Sequence, residues 1–132
     1  MTFYVFGKGL TYTVGLYIVE LYKVELYKEG EQVKKHKLLP LSETMHYILL
    51  ALREPLHGYA IMKKIEELSN HDVRIAAGTL YGAIENLLKQ KWIKQVPSDD
   101  PRRKVYNITN EGKRILEVEQ QRLAHILSLY KE

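Results

Sequence analysis

The sequence predicts a mainly helical fold with a small β-hairpin. Three observations carry this prediction. Apolar residues recur at helical spacing in three successive segments after Ser42, a pair of short strand patterns joined by a polar turn comes next, and another long apolar stripe closes the chain. The length of 132 residues suits one domain with its own hydrophobic core.

The first two helices are bounded by clear start and stop signals. Ser42 is a good N-cap for the first helix, which Pro55 must end, and the second helix follows the break at residues 55–58 and ends near Asn70. The apolar positions are Met45, Ile48, Leu49 and Leu52 in the first helix, and Ile61, Met62, Ile65 and Leu68 in the second.

A third helix is predicted to open at Gly78 and Thr79, with a buried stripe formed by residues 80, 84, 87 and 88. Residues 92–96 and 104–108 then form the two strands of a hairpin around the polar turn 97–103. Helix, helix, helix, strand, turn and strand in this order predict a winged helix-turn-helix. Trp92 is expected in its core or at a dimer contact.

Thr109 is predicted to cap a last helix that runs to the C-terminus. One face of this helix is apolar, and such a stripe requires a partner surface. We therefore predict that it forms a dimer interface. The interface residues are Leu116, Leu123, Ile126, Leu127 and Tyr130.

The predicted second and third helices form the helix-turn-helix, and such a motif places the later of its two helices in the DNA major groove. The third helix therefore needs small or hydrogen-bonding side chains on its outer N-terminal face. Gly78, Thr79, Tyr81 and Gly82 have this character. At the turn of the hairpin, long cationic side chains can reach phosphates. Asp99 and Asp100 dilute this charge and can hold the arginines in position. The predicted DNA-binding residues are Tyr59, Lys64, Gly78, Thr79, Tyr81, Gly82, Asn86, Lys89, Arg102, Arg103 and Lys104.

Composition separates an atypical N-terminal extension, residues 1–32, from the remainder of the chain. In that remainder the predicted elements give a DNA-binding domain, residues 33–109, and a dimerisation helix, residues 110–132. The extension holds three lysines and four glutamates, so the basic excess of the chain, net charge +4, belongs to residues 33–132. Its direct repeat of five residues, 19–23 and 24–28, suits neither a helix nor a strand. Two interpretations stay open: an extra arm, or translated upstream DNA preceding a natural start at Val33.

Four short segments together resemble the PadR family of bacterial transcriptional regulators: residues 56–59 (LHGY), 78–81 (GTLY), 101–106 (PRRKVY) and 108–112 (ITNEG). The resemblance covers residues 39–116 and does not extend to residues 1–32. Ala77 and Gly82 stand where the family often has proline.

The resemblance implies a homodimer that binds a pseudo-palindromic double-stranded DNA operator, usually as a repressor, with the last helix exchanged between subunits. Tyr59, Thr79 and Tyr81 match family positions that contact DNA or fix the helix-turn-helix, and Arg102 and Arg103 match the basic wing. The short C-terminal part resembles the smaller PadR subfamily. Whether a small-molecule effector exists stays open.

Other classes of function fit the residues less well. The chain has no cysteine, which fits a cytoplasmic location and excludes thiolate chemistry, and its five histidines show no metal-ligand spacing. No nucleophile-base pattern or glycine-rich phosphate loop predicts an enzyme, no cofactor is expected, and no apolar stretch is long enough to cross a membrane. The alternative is a winged helix that binds protein instead of DNA. Tyr59 and Tyr81 could also be half-buried structural aromatics.

Overall fold

The structure, a computed structural model, describes residues 36–130. The expectations for residues 1–32 and for a start at Val33 lie outside the described residues. The chain divides into two compact units. One is Pro40–Leu116, and the described part of the other consists of residues 36–39 and 117–130.

The described residues form helices and a small antiparallel sheet in the predicted order. The mainly helical winged helix-turn-helix prediction is therefore confirmed. The elements are α1 Glu43–Ala51, β1 Leu56–His57, α2 Gly58–Leu68, α3 Ala77–Lys89, β2 Ile93–Val96, β3 Val105–Ile108 and α4 Asn110–Ser128.

Side-chain caps fix two helix starts where the sequence indicated them. Ser42 Oγ accepts the Met45 backbone N–H at 3.2 Å, and Thr109 Oγ1 accepts that of Gly112 at 3.0 Å. The start of α3 differs from the prediction by one residue, because the helix begins at Ala77 and not at Gly78. Its N-cap residue, Ala76, has no side-chain oxygen that could cap the helix, so the first N–H groups of α3 are left for other partners.

Both α2 and α3 end in the same hydrogen-bond arrangement, a Schellman motif. In α2 the N–H of His71 donates to the carbonyl of Glu66 at 2.7 Å, and Asn70 adopts φ 54°. In α3 the N–H of Trp92 donates to the carbonyl of Leu87 at 3.1 Å, and Lys91 adopts φ 63°. The first motif ends α2 at the start of the segment 69–76 that leads to α3, and the second ends α3 shortly before β2.

The sheet has strand order β1-β3-β2, with both pairings antiparallel. The hairpin of β2 and β3 was predicted, whereas β1 was not. In β1, Leu56 is opposite Tyr106 and His57 is opposite Val105. Two residues are too few to show the alternation that reveals a strand, so the sequence reads there only as a break between helices.

The core of the unit Pro40–Leu116 comes from all three of its complete helices and from the hairpin. Trp92 is 2% exposed and belongs to this core. Leu68 was predicted on the buried face of α2, but it is the last residue of that helix and is 39% exposed. The other core residues include Ile48, Leu49, Leu52, Ile61, Ile65, Leu80, Ile84, Leu87, Ile93, Tyr106, Ile108 and Ile115.

Candidate nucleic-acid interface

The outer face of α3 near its N-terminus is exposed and uncharged. Tyr81 is 52% exposed, and Thr79 is exposed beside it. Among residues 36–130, a Cβ added at Gly78 or Gly82 would meet nothing within 4 Å, so neither glycine is needed for packing within this part of the chain. Asn86 and Lys89 are exposed further along the same helix. This face can accept a close backbone approach and offers two hydroxyl groups.

Tyr81 is nevertheless held in position, at a contact that the sequence did not reveal. Its ring lies against Gly58 at the start of α2, where an added Cβ would overlap the hydroxyl and lie 3.0 Å from Cζ. Gly58 is buried, and its lack of a side chain leaves the space that the phenol ring of Tyr81 occupies. The pKa of Tyr106 is raised, chiefly because burial disfavours its charged form and secondarily because of electrostatic repulsion from Tyr81. Tyr81 thus connects α3 with α2.

Tyr59 is not a half-buried structural aromatic, which was the alternative to DNA contact considered for it. Its side chain is 63% exposed, and the Lys63 ammonium lies 6.0 Å from the ring centroid. Lys64, a predicted DNA-binding residue, is 3.5 Å from a carboxylate oxygen of Glu54. The beginning of α2 therefore presents an aromatic ring and two lysines at the surface.

The turn between β2 and β3, the wing, presents Arg102, Arg103 and Lys104 at the surface. The side chains of the two arginines are 88% and 59% exposed. Asp100 is the acidic partner of both: its Oδ1 accepts the backbone N–H and the Nε–H of Arg102 at 2.9 and 3.2 Å, and its Oδ2 is 3.9 Å from Arg103 Nε. The expectation that an aspartate holds the arginines is met by Asp100.

These contacts act on the ionisation of Asp100. Its pKa is lowered below the usual value for aspartate, first because the carboxylate accepts the backbone N–H of Arg102 and second because it accepts the guanidinium of the same residue. The carboxylate is therefore ionised at neutral pH, so the wing carries its own counter-ion.

The apolar stripe of α4 contains strongly exposed side chains. Leu123 and Ile126 are 44% and 39% exposed, and Tyr130 after the helix is 77% exposed. Leu116 and Leu127 are half-buried. Contiguous exposed apolar side chains of this size are typical of an interaction surface.

A polar pair in α4 was not predicted. Glu119 is fully buried, and its carboxylate accepts two hydrogen bonds from the Arg122 guanidinium, at 2.9 and 3.0 Å. The hydrogen bond to Glu119 raises the pKa of Arg122. Periodicity places Glu119 beside the apolar stripe, but a charge there reads as a solvated position, so no signal in the sequence indicated its burial.

Metal and membrane sites were also considered. Within residues 36–130, histidine, aspartate and glutamate side chains form no group of three that could hold a metal ion. Over the same part of the chain, the helices are too short or too polar to cross a membrane.

Winged-helix topology, an exposed uncharged helix face and a basic wing are features that winged-helix transcriptional regulators share. A family model described as "Transcriptional regulator PadR-like family" matches residues 48–118, more than half of the chain. The chain therefore belongs to the PadR-like family, and the resemblance seen in the four short motifs is confirmed.

Solved structures agree with this assignment. A PadR-family transcription regulator from Clostridium difficile R20291 is 28% identical, with a TM-score of 0.57 over 67% of this chain and 94% of that one. A PadR-family transcriptional regulator from Eggerthella lenta DSM 2243 is 27% identical, with a TM-score of 0.54 over 95% of this chain and 96% of that one.

A curated relative is longer than the matched region. An uncharacterised 37.1 kDa protein in transposon TN4556 of Streptomyces fradiae is 35% identical over 80 residues. The match covers 60% of this chain but only 22% of that protein.

Proposed function

We propose that this transcriptional regulator is a homodimer that binds a pseudo-palindromic double-stranded DNA operator in a sequence-specific manner and acts as a repressor. The observation that carries the proposal is the presence of two exposed surfaces in the same unit, Pro40–Leu116. One is the uncharged N-terminal face of α3, and the other is the cationic wing.

In the proposed complex, α3 enters the major groove. Thr79 and Tyr81 offer hydroxyl groups to phosphates or base edges, and Gly78 and Gly82 let the helix backbone approach the duplex closely. The uncapped N–H groups at the start of α3 favour a phosphate there, since a helix N-terminus carries partial positive charge. Asn86 and Lys89 extend the same surface.

Charge supplies the remainder of the affinity. Arg102, Arg103 and Lys104 at the wing contact the DNA backbone, and Tyr59 and Lys64 at α2 add contacts beside α3. If each subunit neutralises about three to four phosphates, the logarithm of the affinity should fall with the logarithm of salt concentration with a slope of about −5 to −7 for the dimer.

The exposed α4 stripe supports the dimer. Two copies that join through Leu116, Leu123, Ile126, Leu127 and Tyr130 would place their α3 helices in successive major grooves, about 34 Å apart. No bond is made or broken in this mechanism. Repression then results from occupancy of an operator that overlaps a promoter.

The direct test is fluorescence anisotropy with the DNA upstream of the protein's own gene and with a scrambled duplex of equal length, at about 50 to 200 mM salt, where phosphate contacts weaken visibly. We expect tight, salt-dependent binding that prefers the upstream DNA. Equal weak binding to both duplexes, or none, would favour the alternative of a winged helix that serves a protein partner. A promoter-reporter assay then separates repression from activation.

A further inference from the structure

The wing contains an aspartate whose position is fixed by the turn itself. Ser98 Oγ accepts the backbone N–H of Asp100 at 3.2 Å and donates to its carbonyl at 2.9 Å. The N–H of Arg103 donates to the same carbonyl at 3.0 Å. These bonds hold the Asp100 side chain toward the two arginines, with 32% of the side chain exposed.

Asp100 occupies the edge of Arg102 that a phosphate would use. The Nε–H and one terminal amino group of the guanidinium donate to its two carboxylate oxygens, at 3.2 and 3.4 Å. A guanidinium binds phosphate through the same fork of two parallel donors. A DNA phosphate and Asp100 therefore compete for Arg102, whereas exposed ion pairs of this kind stabilise a fold only weakly.

We infer that Asp100 is a specificity-determining residue, an internal counter-ion that a DNA phosphate must displace before the wing can bind. The inference rests on the proposed DNA binding. On unrelated DNA, affinity comes almost entirely from charge, so an Arg102 that is already paired with Asp100 contributes little. On the operator, the docked α3 holds a phosphate beside the wing, and this local concentration of phosphate drives the exchange.

The neighbouring Asp99 provides a matched control. Asp99→Asn and Asp100→Asn change the net charge equally, but only Asp100 is bonded to Arg102 through both carboxylate oxygens. Asparagine at position 100 can still accept the backbone N–H of Arg102 through its Oδ1, so the turn is kept. Circular dichroism and thermal melting check that both variants are folded.

The experiment measures affinity for a scrambled duplex of about 30 base pairs as a function of salt. We expect Asp100→Asn to bind it about tenfold more tightly than Asp99→Asn, with a salt slope steeper by about 2, because one further phosphate is neutralised per subunit. Equal affinities and slopes for the two variants would overturn the inference. Failure of the wild-type protein to bind any duplex would instead overturn the proposed function.

A second measurement on the wild-type protein avoids any variant. The Arg102 Nε–H signal is followed by NMR in protein labelled at arginine. Its chemical shift should stay at the value of the DNA-free protein when scrambled duplex is added in excess. It should move when the upstream duplex that the anisotropy test identifies is added. A shift of the same size with scrambled duplex would show that Asp100 does not restrain the arginine, and would overturn the inference.

Discussion

The two proposed DNA-binding surfaces, the face of α3 at residues 78–82 and the wing, differ in chemistry. The helix face has no charged side chain, and its glycines and hydroxyl groups can fit only a surface of matching shape. The wing has three cations at its tip together with an internal counter-ion, Asp100. In the proposed complex, the difference predicts a division of labour in which α3 selects the sequence and the wing supplies charge-based affinity, with Arg102 released from Asp100 only on the operator.

The proposed dimer brings two α3 faces and two wings to one duplex. Disruption of the dimer removes half of these contacts at once, so it should have the largest effect. Leu123→Asp places a charge in the exposed α4 stripe, where Leu123 is 44% exposed. We expect a monomer in sedimentation velocity and a loss of operator affinity of at least about a hundredfold, because a desolvated, unpaired charge is costly in an apolar interface.

His125→Asp is the control for this prediction. His125 is exposed and lies two residues further along α4, which places it on roughly the opposite side of the helix. That variant should remain dimeric. If Leu123→Asp also sediments as a dimer, the interface lies elsewhere in the chain.

The helix face can be tested with a change that should affect stability and binding in opposite directions. Gly82 lies inside α3 with open space around it, so Gly82→Ala should raise the free energy of unfolding by about 0.5–1 kcal/mol. The added methyl group should block the close approach of the duplex and weaken operator binding about tenfold, or about 1.4 kcal/mol.

Thermal melting and anisotropy on the same preparation check both halves of the Gly82→Ala prediction. A higher melting temperature together with weaker operator binding would assign the loss to the DNA contact. Unchanged operator affinity would remove Gly82 from the interface.

The wing should respond in another way. Arg102→Ala combined with Arg103→Ala removes four cations from a dimer, so the salt slope on the operator should flatten by about 3 to 4. Binding to the operator should weaken more than binding to the scrambled duplex, where Arg102 is already paired with Asp100. Lys94→Ala, in β2 and outside the turn, is the matched control and should leave the slope almost unchanged. An unchanged slope in the double variant would show that the wing does not contact phosphate.

The parts of this fold that could be predicted are those that depend on local pattern. Apolar spacing predicts α1 to α4, and the caps at Ser42 and Thr109 result from side-chain chemistry close in sequence. The exposure of Thr79 and Tyr81 is expected from their place on the opposite face of α3. In each case the residues that decide the structure lie within one or two helical turns of one another.

The features that could not be predicted depend on residues far apart in sequence. β1 exists because Leu56 pairs with Tyr106, and Gly58 receives the ring of Tyr81 from another helix. Neither of these contacts has a local pattern, because the fold must bring the partners together first.

The contact between Tyr81 and Gly58 gives a prediction with an effect of intermediate magnitude. Gly58→Ala would push the phenol away from α2, and we expect a loss of about 1 kcal/mol in unfolding free energy with a several-fold loss of operator affinity. Tyr81→Phe removes the hydroxyl that the new Cβ would overlap, so the double variant should recover part of the stability. A double-mutant cycle measured by urea unfolding checks this coupling, and strictly additive effects would contradict the contact.

The smallest expected effect concerns pH, and it tests whether the charge of the wing is constant under ordinary conditions. The pKa of Asp100 is lowered in the folded protein, so its pairing with Arg102 stabilises the fold above the unfolded pKa, near 3.9. That contribution is lost only as pH falls through the lower folded value. Thermal melts of wild type and Asp100→Asn should therefore differ by a small constant amount between pH 5 and 8 and converge in acid. A difference that changes between pH 5 and 8 would mean that another group controls the wing, since Asp100 holds its charge throughout that window.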